Sequence, residues 1–168
     1  MIIGIDNGLQ GGITALKDDG TLEATWLMPI IVGQNKKDFD VNIISFIFTS
    51  LKKKCDENNE LLHVILEQAH PRPVQGVRAS FTTGFCYGMM QGILSSLKIS
   101  YEIISPQEWM RELKISSKDE KGSIKWCVRK YPHHLWKKSE ACKNYHDGLT
   151  DSCSLSYYGW LKRNQNDK

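Results

Sequence analysis

Four carboxylates occupy positions from which their side chains could act together. Asp6 ends a short apolar run at the beginning of the chain, and Glu67 ends a second apolar run over residues 61–66. Asp147 and Asp151 stand four residues apart near the start of a predicted helix, so they share one helix face. Ligands of α/β sheets bind beyond the carboxyl ends of strands, where Asp6 and Glu67 are expected to lie. A turn, a helix cap or a solvated surface could explain each one alone, but the ordered set favours a single site.

Carboxylates that converge within a few ångströms repel one another, so they must share a proton or bind cations. Oxygen ligands without neighbouring histidine or cysteine pairs suit Mg²⁺, and Mn²⁺ can substitute for it. Two such ions could activate a water molecule and stabilise the leaving oxygen of a phosphodiester. The predicted metal ligands and catalytic carboxylates are therefore Asp6, Glu67, Asp147 and Asp151.

Basic side chains accompany these carboxylates and suit a partner that carries phosphates. A helix is predicted over residues 118–131 from a capping box at residues 117–120, and it bears a basic stripe opposite its apolar face. The members of this stripe are Lys118, Lys121, Lys125 and Arg129. A solvated helix face is the alternative explanation of the same pattern.

Two further groups of basic residues flank the predicted site. The first group follows Glu67 and consists of His70, Arg72 and Arg78. The second lies in the predicted loop before Asp147 and consists of Lys137, Lys138 and Lys143. We expect these side chains to contact phosphates, which position a nucleic acid without reading its sequence.

The elements that must position these residues follow from hydrophobic periodicity and turn signals. The chain opens with a predicted antiparallel meander of three strands, whose second turn is Asp18-Asp19-Gly20. Further strands are predicted over residues 61–66 and 101–104. Helices are predicted over residues 38–54, 76–97, from 106, 118–131 and 147–162.

The order β-β-β-α-β-α-β, followed by helices, predicts an α/β domain with a mixed sheet and crossover helices. We expect one domain over residues 1–163 and a polar C-terminal tail over residues 164–168. Glycines recur every four residues in the predicted helix over residues 76–97, although each costs about 0.8–1 kcal/mol relative to alanine. Tight packing on the sheet would explain them, and so would a groove for a second subunit or for DNA.

Composition limits the remaining possibilities. The chain has 168 residues, of which 40% are hydrophobic and 24% charged, which excludes wholesale disorder. Its net charge of +3 permits a nucleic-acid partner without requiring one. No apolar run is long enough to span a bilayer, so we expect no membrane partner. The first residues lack the features of a secretory signal and the five cysteines are scattered, so we expect reduced thiols and an intracellular location.

Three segments together resemble the acidic motifs of RuvC-type Holliday junction resolvases, which belong to the RNase H-like (retroviral integrase) superfamily. These segments are IIGIDNG at residues 2–8, VILEQ at residues 64–68 and HDGLTD at residues 146–151. PVQGV at residues 73–77, the glycines that follow it, and SPQEW at residues 105–109 are most similar to the compact viral and phage-type branch. The resemblance extends over nearly the whole chain.

This resemblance implies a mixed five-stranded RNase H-like sheet flanked by helices. It also implies a homodimeric, Mg²⁺-dependent endonuclease that makes paired cuts in four-way DNA junctions during recombination or replication. Such an enzyme would work in the cytoplasm or nucleoid of a bacterial cell, or in a virus-infected cell.

The resemblance assigns roles residue by residue. Asp6, Glu67 and Asp151 match the first, second and last acids of the family. The remaining acid, a histidine in some members, usually lies three residues before the last, where this chain has Gly148; Asp147 or His146 would take its place. A family lysine that contacts the scissile region is matched best by Lys121, with Lys118 as the second choice. His70 stands near the position where members use an aromatic side chain to open the junction.

Other functions fit parts of the same pattern. Asp6-Asn7-Gly8 followed by Gly11-Gly12 is similar to the phosphate loop of sugar-kinase and actin-like ATPases, which need two lobes where this chain supplies one. An RNase H-like nuclease acting on RNA or on other branched DNA would use the same acids. A junction-binding module with an inactive site would have no need of four acids.

Overall fold

The computed structural model describes residues 1–34, 37–69 and 76–166. Within these ranges the chain forms seven strands and five helices. In chain order they are β1 (Ile2–Asp6), β2 (Gly12–Leu16), β3 (Leu22–Leu27), β4 (Ile30–Val32), β5 (Lys37–Phe39), α1 (Val41–Glu57), β6 (His63–Glu67), α2 (Val77–Ser96), β7 (Ser100–Ile104), α3 (Pro106–Glu112), α4 (Gly122–Lys130) and α5 (Asp147–Asn166).

Five of the strands form one mixed sheet in the order β3-β2-β1-β6-β7. The opening meander is antiparallel, whereas β1 pairs with β6, and β6 with β7, in parallel. The parallel strands are joined by α1 and α2, as crossover connections require. The structure thus confirms the predicted α/β class and the mixed five-stranded sheet.

Alternate residues of the central strands face opposite sides of this sheet. Ile3 and Ile5 of β1 belong to a core cluster that includes buried residues of α1 and α2. Ile2 of β1 and Ile65 of β6 pack instead in a second cluster with buried residues of α3 and α5. The even positions of β1 and the odd positions of β6 therefore face α5, and this alternation decides where the strand-end carboxylates point.

The α5 helix lies unusually close to the sheet because small residues line the contact. A Cβ atom added to Gly4 of β1 would lie 2.1 Å from the carbonyl oxygen of Ser152, which no side chain could tolerate. The Ser156 hydroxyl donates to the carbonyl oxygen of Thr14 in β2 at 2.8 Å, and the Thr14 and Ser152 hydroxyls lie 2.8 Å apart. These contacts fix the position of α5 along the central strands.

The helix predicted from residue 38 begins three residues later. Residues 37–39 pair with residues 30–32 in a two-stranded antiparallel ribbon that the sequence analysis missed. Asp40 caps the helix by accepting a hydrogen bond from the Ile43 amide. The ribbon was missed because Ile30-Ile31-Val32 is only three residues long and its partner strand is largely polar, so neither strand gives a strong signal in the sequence.

The capping box predicted at residues 117–120 is wrong. The helix α4 begins at Gly122, and residues 117–121 form turns held by Asp119. The Asp119 carboxylate accepts hydrogen bonds from the Lys121 amide and the Lys125 ammonium. Because Lys118 and Lys121 precede the helix, only Lys125 and Arg129 of the predicted basic stripe share a helix face.

Two other helices also differ from expectation. The last helix continues to Asn166, so residues 164–166 of the predicted polar tail are helical. In α2, Cβ atoms added to Gly84, Gly88 and Gly92 would meet no atom within 4 Å outside the helix's own nearby backbone, among the residues that the structure describes. Tight packing of these glycines on the sheet is therefore the wrong explanation, and their side of α2 is open. No helix in the described part of the chain has the length and apolar character to cross a membrane.

The close approach of α5 predicts a contrast between two identical substitutions. Gly4→Ala is expected to lower the free energy of unfolding by more than about 3 kcal/mol, because its Cβ would overlap backbone atoms of α5. Gly92→Ala adds the same methyl group to a helical residue whose surroundings are open. This substitution should raise the free energy of unfolding by up to about 1 kcal/mol. Urea denaturation measures both, and equal effects would contradict this account of α5 packing.

Candidate active site

Asp6 and Glu67 come together at one edge of the sheet. β1 and β6 are parallel neighbours with Ile5 opposite Leu66, so the next register position brings Asp6 beside Glu67. Neighbouring strands lie about 4.8 Å apart, and both positions face α5 by the alternation described above. The prediction that the two carboxylates lie at one strand-end edge is thus confirmed by the pairing register.

Glu67 is held by two residues to which the sequence analysis gave no role. The Trp109 indole N–H of α3 donates to Glu67 Oε1 at 2.9 Å, and Trp109 is fully buried. The Asn7 side-chain amide donates to the Glu67 carbonyl oxygen at 2.7 Å and joins the ends of β1 and β6. Trp109 belongs to the segment SPQEW, so its motif was noticed, but its contact crosses 42 residues of sequence and requires the fold.

The first turn of α5 carries Asp147 and Asp151 to the same edge. A Cβ atom added to Gly148 would lie 2.2 Å from the carbonyl oxygen of Gln10, in the turn that follows Asp6. Only glycine allows the start of α5 to approach this turn so closely. Asp151, one helical turn further, is partly buried, whereas Asp147 is exposed.

Burial raises the pKa of the Asp151 carboxyl to about 6. A hydrogen bond with Ser123 of α4 acts in the opposite direction, and the nearby charge of Asp147 raises the pKa further. A carboxylate that is desolvated and faces a second acid is stabilised by a cation. Asp151 therefore has the electrostatic properties of a metal ligand more clearly than its exposed neighbour.

His146 plays a capping role that competes with metal binding. Its Nδ1 atom accepts a hydrogen bond from the Leu149 amide at 3.3 Å, so the ring caps α5. Burial, with Lys138 nearby, lowers the pKa of this buried histidine, so the ring is neutral near pH 7. Because Nδ1 is engaged, Asp147 is the better candidate for the fourth acid.

The donor types suit a hard divalent cation, since all four candidates are carboxylates. Across residues 1–34, 37–69 and 76–166, however, no three His, Cys, Asp or Glu side chains are grouped closely enough to hold a metal ion. The structure places two acids at the sheet edge and two on α5 beside it, without drawing them into one coordination shell.

The predicted basic residues are dispersed around this edge. Arg78 is exposed in the first turn of α2, and Lys118 and Lys121 are exposed in the turns before α4. Lys125 pairs with Asp119 at 2.6 Å, and with Arg129 it lines a surface cavity of about 240 Å³. His70 and Arg72 lie outside the described residues.

Comparison with known proteins supports the architecture. No family model matches the chain, and no curated protein matches it either. Among solved structures, the Thermus thermophilus RuvC in complex with Holliday junction substrate superposes with a TM-score of 0.60 at 11% sequence identity, covering 96% of this chain and 94% of that chain.

Two other solved structures give the same result. Another structure of Thermus thermophilus RuvC has a TM-score of 0.53 and 14% identity, covering 98% of this chain and 96% of that chain. The yeast mitochondrial Holliday junction resolvase Ydc2 has a TM-score of 0.53 and 14% identity, covering 99% of this chain and 82% of that chain. At these identities the likeness establishes the fold, and it confirms the RNase H-like architecture that the acidic motifs implied.

The raised pKa of Asp151 predicts a pH-dependent stability. The folded pKa of about 6 exceeds the ordinary value of 3.8, so the protonated form is stabilised. This contribution is complete below about pH 4 and is lost as the pH rises through 6. In EDTA, Asp151→Asn should therefore raise the free energy of unfolding at pH 7.5 by about 1–3 kcal/mol, with little gain at pH 4.

Urea denaturation at the two pH values measures this difference. Asp147→Asn is the matched control. It should raise the free energy of unfolding much less, because that carboxyl is exposed. A gain for Asp151→Asn that is equal at pH 4 and pH 7.5 would show that burial of the charge is not the cause.

Proposed function

We propose that this protein is a structure-selective DNA endonuclease that resolves four-way junctions by paired hydrolysis of phosphodiester bonds. The observation that carries the proposal is the register of β1 and β6, which brings Asp6 and Glu67 to adjacent strand ends beneath the first turn of α5. The fold likeness to RuvC in complex with Holliday junction substrate and to the Holliday junction resolvase Ydc2 adds independent support.

The metal proposal rests on residue type, burial and position. Asp6, Glu67, Asp151 and Asp147 would hold two Mg²⁺ ions, for which Mn²⁺ could substitute. When bound, these ions would activate a water molecule and stabilise the leaving oxygen of a phosphodiester. Trp109 serves as a positioning residue, because its hydrogen bond to Oε1 fixes the rotamer of Glu67.

Basic residues from several segments of the chain would contact the DNA backbone. Lys121 is the proposed contact with the scissile region, since the turn before α4 leaves its side chain exposed. The other proposed backbone contacts are His70, Arg72, Arg78, Lys118, Lys125 and Arg129. Contacts with phosphates make binding salt-dependent and independent of sequence, which suits recognition by shape.

A homodimer would supply the two cuts that a junction requires. Val77, Phe81 and Phe85 lie four residues apart on α2 and are 88%, 75% and 46% exposed. The open glycines of α2 lie beside this apolar face and would allow a second helix to approach closely. Tyr87 and Met89 do not belong to this face, because they pack against the core cluster of the sheet. A two-fold seam along α2 would match the approximate two-fold symmetry of a junction.

Conservative substitutions of the acids should separate cutting from binding. Asp6→Asn, Glu67→Gln and Asp151→Asn are each expected to abolish cutting of a labelled four-way junction in Mg²⁺. Their affinity for the junction should persist or rise, because a carboxylate facing phosphate repels it. Asp147→Asn should reduce cutting, and Asp56→Asn on the exposed side of α1 should leave it unchanged.

Parallel reactions test the metal and the substrate. EDTA should stop cutting, and Ca²⁺ should support binding without cutting. Activity that persists in excess EDTA would contradict the metal proposal. Preference for an RNA–DNA hybrid or another branched DNA over the four-way junction would instead identify a different RNase H-like nuclease, and binding without any cutting would identify an inactive binding module.

Disruption of the α2 face tests the dimer. Phe81→Glu is expected to convert a species of about twice 19.2 kDa into a monomer, because it introduces a charge into an apolar seam. Phe46→Glu is the matched control, since that side chain is 71% exposed and belongs to a different helix, α1. Light scattering, with and without junction DNA, measures the mass. A wild-type protein that is monomeric in both states and leaves single nicks would contradict the paired-cut proposal.

A further inference from the structure

A cavity of about 410 Å³ lies against the start of α5. Its walls come from the loop before α5 and from the turn after β1. The lining residues are Gln10, Lys138, Cys142, Lys143, Asn144, Tyr145, His146, Asp147 and Gly148. The volume falls within the range typical of small-ligand sites in proteins. Asp147 belongs both to this lining and to the proposed metal site.

The loop that forms the cavity is held in place by a buried anchor. Trp136 is 1% exposed and packs with Cys127, Leu149 and Cys153 beneath the loop. Its indole N–H donates to the Tyr131 carbonyl oxygen, and its own carbonyl accepts from the His146 amide at 2.8 Å. A loop tied at both ends to the core presents its side chains in a fixed arrangement, which reduces the entropy lost when a ligand binds.

The chemistry of the lining suits a nucleotide. Lys138 and Lys143 form no ion pair with any carboxylate among the residues that the structure describes, so their charges are available to an anion. Tyr145 exposes 46% of its surface, and the Lys137 ammonium lies 5.6 Å from its ring centroid. Gln10 and Asn144 add exposed amide groups. Cations beside an aromatic platform form the pattern by which proteins hold unpaired nucleotides.

We infer that this cavity receives an unpaired nucleotide of the substrate strand next to the scissile phosphate, with its base stacked on Tyr145 and its phosphate bound by Lys138 and Lys143. The inference rests on the proposed function and extends it, because it assigns a nucleotide-binding role to a loop outside the acidic motifs. Bases in a duplex are stacked and inaccessible, whereas the exchange point of a junction can supply an unpaired one. The shared residue Asp147 would link occupation of the cavity to the arrangement of the acids.

The test uses 2-aminopurine, whose fluorescence is quenched by stacking, in the full-length Asp6→Asn protein with Ca²⁺. Wild-type protein with Mg²⁺ first maps the cut, and the probe is then placed beside that phosphate in the junction. A second arm uses a short single-stranded oligonucleotide that carries the same probe. Binding should change the probe fluorescence in both arms. Tyr145→Leu should abolish the change and weaken binding by about 5- to 150-fold, the loss expected for one stacked base.

Matched variants separate stacking and charge from folding. Tyr145→Phe should retain the fluorescence change, because the aromatic face remains. Lys138→Gln and Lys143→Gln should each lower the salt dependence of binding by about one unit of slope, whereas Lys53→Gln on the exposed side of α1 should not. Circular dichroism of each variant verifies its fold.

Two outcomes would overturn the inference. In the first, the wild type cuts the junction, but Tyr145→Leu shows the same fluorescence change and the same affinity as the protein that retains Tyr145. That outcome would leave the proposed function intact. The other is thymidine monophosphate binding as tightly as the oligonucleotide, because the ligand would then be a free nucleotide. If the wild type cuts no junction, the proposed function fails, and the single-stranded arm still decides whether Tyr145 stacks a base.

Discussion

The arrangement of this protein depends on the contact of α5 with the central strands through backbone and small side chains. Gly4 on the sheet and Gly148 on the helix remove the Cβ atoms that would otherwise separate the two layers. Serine and threonine hydroxyls then satisfy the polar groups at this buried contact. Because the helix cannot slide without creating overlaps, packing fixes the height of Asp151 above the strand ends.

That fixed position disfavours the charged form of Asp151. Asp151 is desolvated beside Asp147, and the pKa of its carboxyl rises accordingly. Glu67 is restrained by the hydrogen bond from Trp109, and Asn7 ties the two strand ends together. A folded protein tolerates such a group at some cost in stability, and the charge of a bound cation would offset it. The packing of the layers thus accounts for the raised pKa of the Asp151 carboxyl.

The surface around the acids has two distinct parts, an apolar face on α2 and a charged cavity beside the start of α5. The α2 helix presents exposed phenylalanines and open glycines, which suit contact with a second copy of the chain. The loop anchored by Trp136 presents lysines and Tyr145 beside Asp147. The apolar face of α2 and the charged cavity beside Asp147 share no residue, so they are separate surfaces.

The sequence by itself determined most of the elements and singled out the candidate acids. Apolar runs that end in Asp6 and Glu67, and the hairpin at Asp18-Asp19-Gly20, are local signals, because the period of a strand and the chemistry of a turn are set by neighbouring residues. The same reasoning failed at the capping box before α4, where Asp119 instead binds Lys125. It also failed at the ribbon of β4 and β5, which is defined by the pairing of two short strands.

Only the tertiary structure decided which distant residues meet. Two of these features are contacts: the hydrogen bond from Trp109 to Glu67 and the capping of α5 by His146. Two others are spaces left between segments: the open side of the α2 glycines and the cavity beside Tyr145. Periodicity carries no information about such distances, because they are fixed by how the layers pack.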